Sequence, residues 1–424
     1  MLDDKKIRLL TFRADYRIDT TSELEFQLGY NGGDRQEGSS GANEIGVNKR
    51  ADNHFEMLHW RRALEGNGEL SVQFYHATES SFGSALDLTS GNTRNGDVIA
   101  NRYDLEVQHT FSPGDTTRMA WGGSVRYDKT YAPVWLSDNI QAQPFHLARL
   151  FGTLEWRARS DLIFNLGAMS ENNSVTGTDI TPRMAVNWHL TPEHTLRLGN
   201  STATRTPTVR ELSVAQPYLD AGILHHTLQP ERINSTEIGY LGSFTGLKVD
   251  FRLFRDKLTD LIAENASSVR DDNLNSGRAV VKGFETQLKW DIGKQTRVIY
   301  SLSHIKISSR NEDRMSYTNG APTNSQSLML THKFDHRWST SLVGYQVGET
   351  HLPEVNMGPN DNPRYFIDSY RRWDGRIAYS FRSGAANGEL ALIVQNLADA
   401  HYFEYSHDNE FPGRTAWINL KLDF

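Results

Sequence analysis

The sequence contains no cysteine among its 424 residues, which excludes disulfide bonds and thiolate metal sites. It has no run of about 18 consecutive apolar residues, so it predicts no membrane-spanning helix. The formal net charge is −7 and no block of basic residues is present, which argues against nucleic acid as a partner. We find no signature of a phosphate-binding loop, a zinc protease or a serine hydrolase. The residues therefore predict neither an enzyme nor a bound cofactor.

Alternation of apolar and polar residues runs through the chain, whereas helical periodicity is nearly absent. In the segment Leu10–Ile18, Phe12 and Tyr16 share one face and Arg13 lies on the other. The stretch His54–Leu64 alternates with an ambiguous phase. We count about 19 segments of roughly 8–12 residues, long enough to cross a bilayer at a tilt. The 19 Phe, 16 Tyr and 9 Trp residues are enough for aromatic girdles at both membrane interfaces.

Short and long connections alternate between these segments. Short connections lie near 19–22, 65–68, 112–115, 191–194, 291–294 and 334–337, and long ones near 33–52, 77–100, 129–144, 204–235, 263–279, 308–325 and 348–369. Short turns on one side and long loops on the other are typical of transmembrane barrels. A soluble sandwich or propeller has no reason to sort its loops by length. The pattern predicts an all-β fold, a transmembrane antiparallel up-and-down β-barrel.

The strand count carries a further expectation. The first and last strands both run toward the side of the short turns, which requires an odd number of strands. Single-chain bacterial barrels have an even number, and large plugged transporters have 22. Met1 is followed by polar residues rather than by the apolar core of an export signal. We therefore expect residues 1–424 to form a single barrel domain with about 19 of 22 strands, truncated at its N-terminus and without a plug domain.

Short motifs follow one another in a fixed order. Their residues are Arg205, Pro207 and Glu211, then Pro230 and Glu231, then Gly283 and Glu285, and finally Asn396, Asp399, Pro412, Gly413, Arg414 and the terminal Phe424. This series resembles the barrel domain of the TonB-dependent outer-membrane receptor family, over essentially the whole chain. The sequence departs from the family pattern at His225-His226, where Asn-Pro is usual, and at Asn419, where the last strand often has Gly.

The resemblance implies an outer-membrane location in a Gram-negative bacterium and energised uptake of a scarce nutrient, most often a ferric siderophore. Implied partners are outer-membrane lipid, the ligand and the barrel assembly machinery. The TonB system would act only through an N-terminal plug that this sequence lacks. A passive pore or inert barrel fragment is one alternative and a haem receptor is another. A soluble all-β binding protein or hydrolase would need a convergent polar site, which we do not find.

The motif residues favour architectural roles. Pro207 and Pro230 cannot donate to a strand ladder and so mark strand ends. We expect Glu211 and Glu231 to pair with Arg205 or Arg232. Three further expectations concern the wall: Gly283 permits a close approach or bend, Glu285 points into the lumen where a plug would contact it, and Phe424 lies on the lipid face with Ile418, Leu420 and Leu422.

Candidate ligand contacts lie in the predicted long loops. Aromatic rings at Tyr131, Trp135, Tyr218, Tyr317, Tyr365, Tyr402 and Tyr405 can stack on a flat iron chelate, and Arg364 can pair with an anionic one. In a haem receptor, His225 or His226 would ligate the iron. Solvated loop residues would give the same pattern, so both interpretations stay open. No resident metal site is expected.

Overall fold

The structure is a computed structural model. It describes residues 4–37, 47–86, 93–133, 143–212, 227–267, 270–309, 318, 320–351, 366–384, 386–404 and 413–423. Within these ranges nearly all of the backbone is β-strand, with an α-helical turn at 209–212 and a 3-10 turn at Glu65–Asn67. No helix among them has the length and apolar character needed to cross a membrane.

Nineteen strands pair in chain order into one antiparallel sheet, which confirms the predicted count and the up-and-down topology. These strands are β1 (Lys5–Arg17), β2 (Ser22–Glu37), β3 (Val47–Leu64), β4 (Gly68–Phe82), β7 (Val98–Gly114), β8 (Thr117–Tyr131), β9 (Gln143–Arg159), β10 (Leu162–Asn173), β11 (Gly177–Thr191), β12 (His194–Arg205), β13 (Glu231–Phe244), β14 (Leu247–Ser267), β15 (Arg270–Ile292), β16 (Thr296–Ser309), β17 (Asn324–Lys333), β18 (Trp338–Val347), β21 (Tyr370–Ser383), β22 (Ala386–Gln395) and β23 (Thr415–Asp423). Two small hairpins stand apart from the sheet: β5 (Ser84–Leu86) with β6 (Thr93–Asn95), and β19 (Thr350–His351) with β20 (Phe366–Ile367).

One edge of the sheet carries only tight connections. They fall at 18–21, 65–67, 115–116, 160–161, 192–193, 245–246, 293–295, 334–337 and 384–385. The other edge carries the long connections, as predicted, with two exceptions. Residues 174–176 form a tight turn there, because the Asn173 side chain accepts hydrogen bonds from the backbone N–H groups of Val175 and Thr176. The segment 263–279 is mostly paired strand rather than loop, because the β14–β15 ladder continues to Ser267 and Arg270.

The two faces of the sheet differ in chemistry as the alternation predicts. On the outer face, Leu166 pairs with Leu154 on one side and Met184 on the other. On the inner face, ion pairs join neighbouring strands, such as Arg149 with Glu171 at 2.8 Å. Register also resolves the ambiguous stretch at 54–64: Leu58 lies opposite Phe26 and Phe74, so its even-numbered residues face outward.

Aromatic residues border the outer apolar face at both edges. Near the tight turns, Trp156 stacks on Phe164 with ring centroids 5.5 Å apart, and Trp338 lies 4.9 Å from Tyr379. Near the long connections, a row runs from strand to strand through His76, Tyr103, Tyr127 and His146, with successive centroids 4.5, 6.5 and 5.0 Å apart. These rows are the girdles that the aromatic content predicts.

The first and last strands of the sheet run in the same direction, because 19 antiparallel strands separate them by an even number of reversals. Both are exposed along nearly their whole length and on both faces. The expected complete count of 22 strands stays a prediction.

Candidate functional site

An ion-pair network closes the connection between β12 and β13. Arg205, the last residue of β12, makes a two-pronged contact with Glu211, Nη1 to Oε2 at 3.0 Å and Nη2 to Oε1 at 2.9 Å. Its Nε donates to Oε2 of Glu231, the first residue of β13, at 2.6 Å. Pro207 and Pro230 stand just outside the two strands. One guanidinium therefore holds both ends of the connection together, as the motif residues predict.

The helical turn at 209–212 explains why Glu211 is placed so well. Thr208 precedes the turn, and its Oγ1 accepts the Glu211 backbone N–H at 3.2 Å. Glu211 in return accepts the Thr208 backbone N–H at 2.7 Å, which completes a capping box. Burial raises the pKa of the Glu211 carboxyl, but hydrogen bonds from Arg205 and Thr208 outweigh this effect, so the net pKa lies below its ordinary value.

The second end of the connection is fixed to β14. The other oxygen of Glu231 accepts the Ile262 backbone N–H at 2.8 Å. Asn275 bonds both the N–H and the C=O of Gln229, and also the C=O of Asp260. Asp260 has a φ of 58° at an irregularity of the β14–β15 ladder. These contacts, together with a small apolar cluster of Leu228, Ile262 and Leu212, point to architecture.

A ladder of charges crosses the inner face lower on the same strands. Arg197 Nε lies 3.0 Å from Glu237, Arg252 Nε lies 3.2 Å from the other oxygen of Glu237, and Arg252 Nη1 lies 3.7 Å from Glu285. Glu285 therefore faces the lumen, as expected from its position opposite Phe284. This ladder presents alternating charge to whatever occupies the interior.

Gly283, next to this ladder, lies where two strands approach closely. A Cβ at this position would overlap the backbone carbonyl oxygen of His304. At Gly239, another inner-face glycine, the nearest contact of a Cβ would be Arg197 Cβ at an ordinary 3.6 Å. The close approach expected at Gly283 is thus present, and Gly239 does not share it.

The motif that begins at Asn396 forms a tight turn after β22. Asn396 is fully buried with a φ of 55°, and its amide bonds both the C=O and the N–H of Ala400 at 2.9 Å. Asp399 accepts the Arg414 backbone N–H at 2.7 Å, so it ties the turn to the start of β23. Gly413 lies beside that carboxylate, where a Cβ would come within 3.0 Å of it. These residues pin the last strand to the wall.

An aromatic and cationic cluster lies at the inner mouth beside this turn. Tyr402 stacks on Tyr370 with centroids 4.3 Å apart, and its hydroxyl lies 3.3 Å from Arg372 Nη1. The Arg372 guanidinium also lies over the Tyr345 ring at 4.9 Å and pairs with Asp374 at 3.1 Å. Burial raises the pKa of the Tyr402 hydroxyl. Tyr402 is only 6% exposed, so its packing role is visible while its ligand contact stays a prediction.

The remaining predicted ligand contacts separate into two groups. Tyr131 is half-buried at the last position of β8, on the long-connection edge. Outside the described residues lie Trp135, Tyr218, His225, His226, Tyr317, Arg364, Tyr365 and Tyr405, together with the motif residues Pro412 and Phe424. Their roles stay predictions.

One group of side chains was not anticipated from the sequence. His54, Glu56 and His76 meet on the outer face, and each can offer a metal-ligand atom within 4.8 Å of the others. The sequence signal is weak, because the residues lie on two strands and only the register between the strands brings them together.

The fold and the site define an outer-membrane β-barrel of the receptor and transporter class: an apolar outer belt, a charged lumen and long connections on one edge. Residues 3–397 match the family described as TonB dependent receptor-like, beta-barrel. The chain belongs to that family, and its location is the outer membrane of a Gram-negative bacterium.

Known relatives share this domain at low identity. The vitamin B12 transporter BtuB of Vibrio cholerae is 24% identical over 333 residues, which is 76% of this chain and 48% of that protein. The iron-regulated outer membrane virulence protein of Vibrio cholerae is 22% identical and covers 99% of this chain and 66% of its own length. The chain thus spans about half to two thirds of these relatives.

Solved structures show the same fold. The ferric enterobactin receptor of Pseudomonas aeruginosa superimposes with a TM-score of 0.78 at 16% identity, covering 98% of this chain and 69% of the receptor. The copper transporter OprC gives a TM-score of 0.76 at 16% identity, over 99% of this chain and 72% of that one.

Proposed function

We propose that this chain is the wall of a receptor that takes up a scarce nutrient as a large chelate, with a ferric siderophore as the leading candidate. The observation that carries this proposal is the cluster of Tyr345, Tyr370, Arg372 and Tyr402 at the inner mouth, on the edge where the long connections lie. Ferric siderophores are bulky, often aromatic and often anionic. Stacked phenol rings beside a guanidinium suit that chemistry.

The relatives' own names support a chelate as cargo. They refer to ferric enterobactin, ferripyoverdine, vitamin B12 and metal-pseudopaline. These cargoes differ in chemistry, so they favour large chelates as a group. The choice of a ferric siderophore within that group rests on the mouth cluster.

Energised uptake requires a plug that responds to the TonB system. We assign the inner-face ladder of Arg197, Glu237, Arg252 and Glu285 to contact with such a plug. Each charge in the ladder already has a partner within 4 Å, and the ladder presents polar groups inward. A plug surface of complementary charge would add further pairs without leaving buried charges unmatched.

Ligand titration of the 424-residue chain in detergent tests the proposal. Quenching of tryptophan fluorescence would be followed with a ferric catecholate, with cyanocobalamin and with haem. We expect saturable binding of the ferric catecholate, weakened at least tenfold by Arg372→Gln. The matched control is Arg376→Gln, which removes another inner-face arginine that pairs with Glu389, and it should leave the affinity unchanged.

Three outcomes would contradict the proposal. If haem or cyanocobalamin binds saturably and the ferric catecholate does not, the ligand belongs to another chemical class. Steady ion conductance across planar bilayers, without saturable binding of any chelate, would favour a passive pore. If Arg372→Gln and Arg376→Gln weaken ligand binding equally, the mouth cluster is not part of the binding site.

A further inference from the structure

We propose that the outer wall carries a binding site for a divalent transition-metal ion of the zinc and copper class, formed by His54, Glu56 and His76. The site lies on β3 and β4, on the side of the wall that faces away from the lumen. It is independent of the ligand proposed above.

The strand geometry brings the three side chains together. His54 and Glu56 are two residues apart on β3, so they share the outer face. His76 on β4 lies directly opposite Glu56 in the antiparallel register. Its Nδ1 is 2.7 Å from Glu56 Oε2, and its ring centroid is 5.8 Å from that of His54. One donor atom from each residue falls within 4.8 Å of the other two.

The ring of His76 is fixed by stacking, and one of its nitrogens has no hydrogen-bond partner among the described residues. It stacks on Tyr103 with centroids 4.5 Å apart and an interplanar angle of 23°. Its Nε2 is buried and has no hydrogen-bond partner in the described part of the chain. Buried polar atoms normally find partners, so the unpartnered Nε2, on the ring whose Nδ1 contacts Glu56, calls for an occupant. His54 is exposed and free to rotate toward an ion.

The donor chemistry selects the ion. Two imidazoles and one carboxylate form a ligand set that suits Zn²⁺ and Cu²⁺ and leaves one position open for water. Three donors around such an ion lie roughly 3.2–3.5 Å apart, given metal–ligand lengths near 2.1 Å. The donor atoms lie within 4.8 Å of one another, so binding an ion requires them to approach by roughly 1–2 Å, a movement within the reach of side-chain rotation.

The position of the Glu56 carboxylate, at the border of the apolar belt, favours a bound cation. The next outward residues toward the tight turns are Leu58 and Phe74, which belong to the apolar belt. A carboxylate at the border of that belt is costly to desolvate unless an opposite charge lies against it. The next acidic residue up the strand, Asp52, already pairs with Arg50 at 2.7 Å and accepts the Tyr30 hydroxyl. No comparable cation reaches Glu56 among the described residues.

Three other outward histidines have neutral partners. His304 pairs with the Asn324 side chain, His194 with the Tyr240 hydroxyl and His332 with the Thr296 hydroxyl. Among the described residues, two imidazoles and a carboxylate come together only at this place. His304 also lies near the border with the long connections and stacks on Phe284, so it provides a matched control.

Metal binding to the purified, metal-free 424-residue chain in detergent tests the site. Calorimetric titration with Zn²⁺ should show one strong site per chain, and Cu²⁺ should give an electron paramagnetic resonance signal with coupling to two imidazole nitrogens. We expect at least 100-fold weaker binding in the double variant His54→Ala/His76→Ala. Glu56→Gln should weaken binding about 10- to 100-fold, and His304→Ala should leave binding unchanged.

A second measurement needs no variant. Zn²⁺ should protect His54 and His76, but not His304, from acylation by diethyl pyrocarbonate, as followed by mass spectrometry of peptides. Equal protection of all three histidines, or a strong site that survives in the double variant, overturns the proposal. The absence of any strong site in folded wild-type chain does so as well.

Discussion

A lysine scan across the wall would test which face meets lipid. Leu166 and Asn165 are neighbours on β10 with opposite facing. Leu166 lies between Leu154 and Met184 on the outer face and is 43% exposed. Asn165 lies opposite Glu155 on the inner face. The two variants Leu166→Lys and Asn165→Lys therefore place the same cation at the same height on opposite sides of one strand.

The expected costs differ widely. A lysine on the lipid face near the middle of the bilayer costs about 2–4 kcal/mol. That corresponds to an unfolding equilibrium shifted about 30- to 900-fold. On the inner face, the new ammonium meets water and the carboxylate of Glu155, and such a solvated pair is worth about 0–1 kcal/mol. The difference between the two variants should therefore be at least about 2 kcal/mol.

The assay is urea-dependent folding of each variant into phospholipid vesicles, followed by tryptophan fluorescence. Leu166→Lys should lower the free energy of unfolding, and Asn165→Lys should match the parent chain. Equal losses from both variants would refute the assigned facing. A larger loss from Asn165→Lys would mean that the apolar face packs inward and that the chain does not use its alternation to face lipid.

Three further predictions concern the motifs. Gly283→Ala should destabilise the wall by about 1–3 kcal/mol because strands must separate, whereas Gly239→Ala should be close to neutral; equal effects in urea titrations would contradict the close approach. Asn396→Ala should cost about 2 kcal/mol, since it leaves part-buried backbone groups of Ala400 unpaired, and an unchanged unfolding midpoint would deny this role. The lowered pKa of Glu211 means that its contribution to stability is full above the ordinary carboxyl pKa of about 4.3 and is lost as pH falls through the lower folded value. The melting temperature of Glu211→Gln should therefore lie below that of the parent at pH 7, and the gap should close below about pH 4; a gap that ignores pH, or that Arg205→Ala leaves intact, would argue against the ion pair.

Much of the wall could be predicted from the sequence because residues in a transmembrane strand alternate between the lipid-facing and the inward-facing side. Alternation of apolar and polar residues, as at Leu10–Ile18, predicts the facing of side chains such as Glu285. Together with the turn residues between strands, it also predicts the number of strands and the topology of the sheet. The sequence offers Arg205 and Arg232 as partners for Glu211 and Glu231, and the structure gives both carboxylates to Arg205 while Arg232 pairs with Asp179. The stretch at 54–64 was harder, because apolar residues occupy both of its faces.

Other features depend on how neighbouring strands pair, which the local sequence does not show. The hairpin extension at 263–279 is rich in Asn, Asp and Ser, so local composition favours a loop although cross-strand pairing keeps it extended. A signal for the tight turn at 174–176 was present, since Asn173 and Gly177 are residues that turns favour. The meeting of His54, Glu56 and His76 required the register of β3 against β4, because a shift of two residues would keep every face and separate the side chains.

The shared anchoring of the β12–β13 connection has a consequence for how this protein can change over time. Because Arg205 pairs with both Glu211 and Glu231, the two ends of the segment between them are held close together whatever the sequence of that segment. The entropic cost of closing such a segment rises slowly, by about 0.6 kcal/mol for each doubling of its length. Insertions, deletions and replacements between the anchors are therefore thermodynamically cheap, and they leave the wall intact. The connection can therefore change in length and sequence while β12 and β13 keep their register.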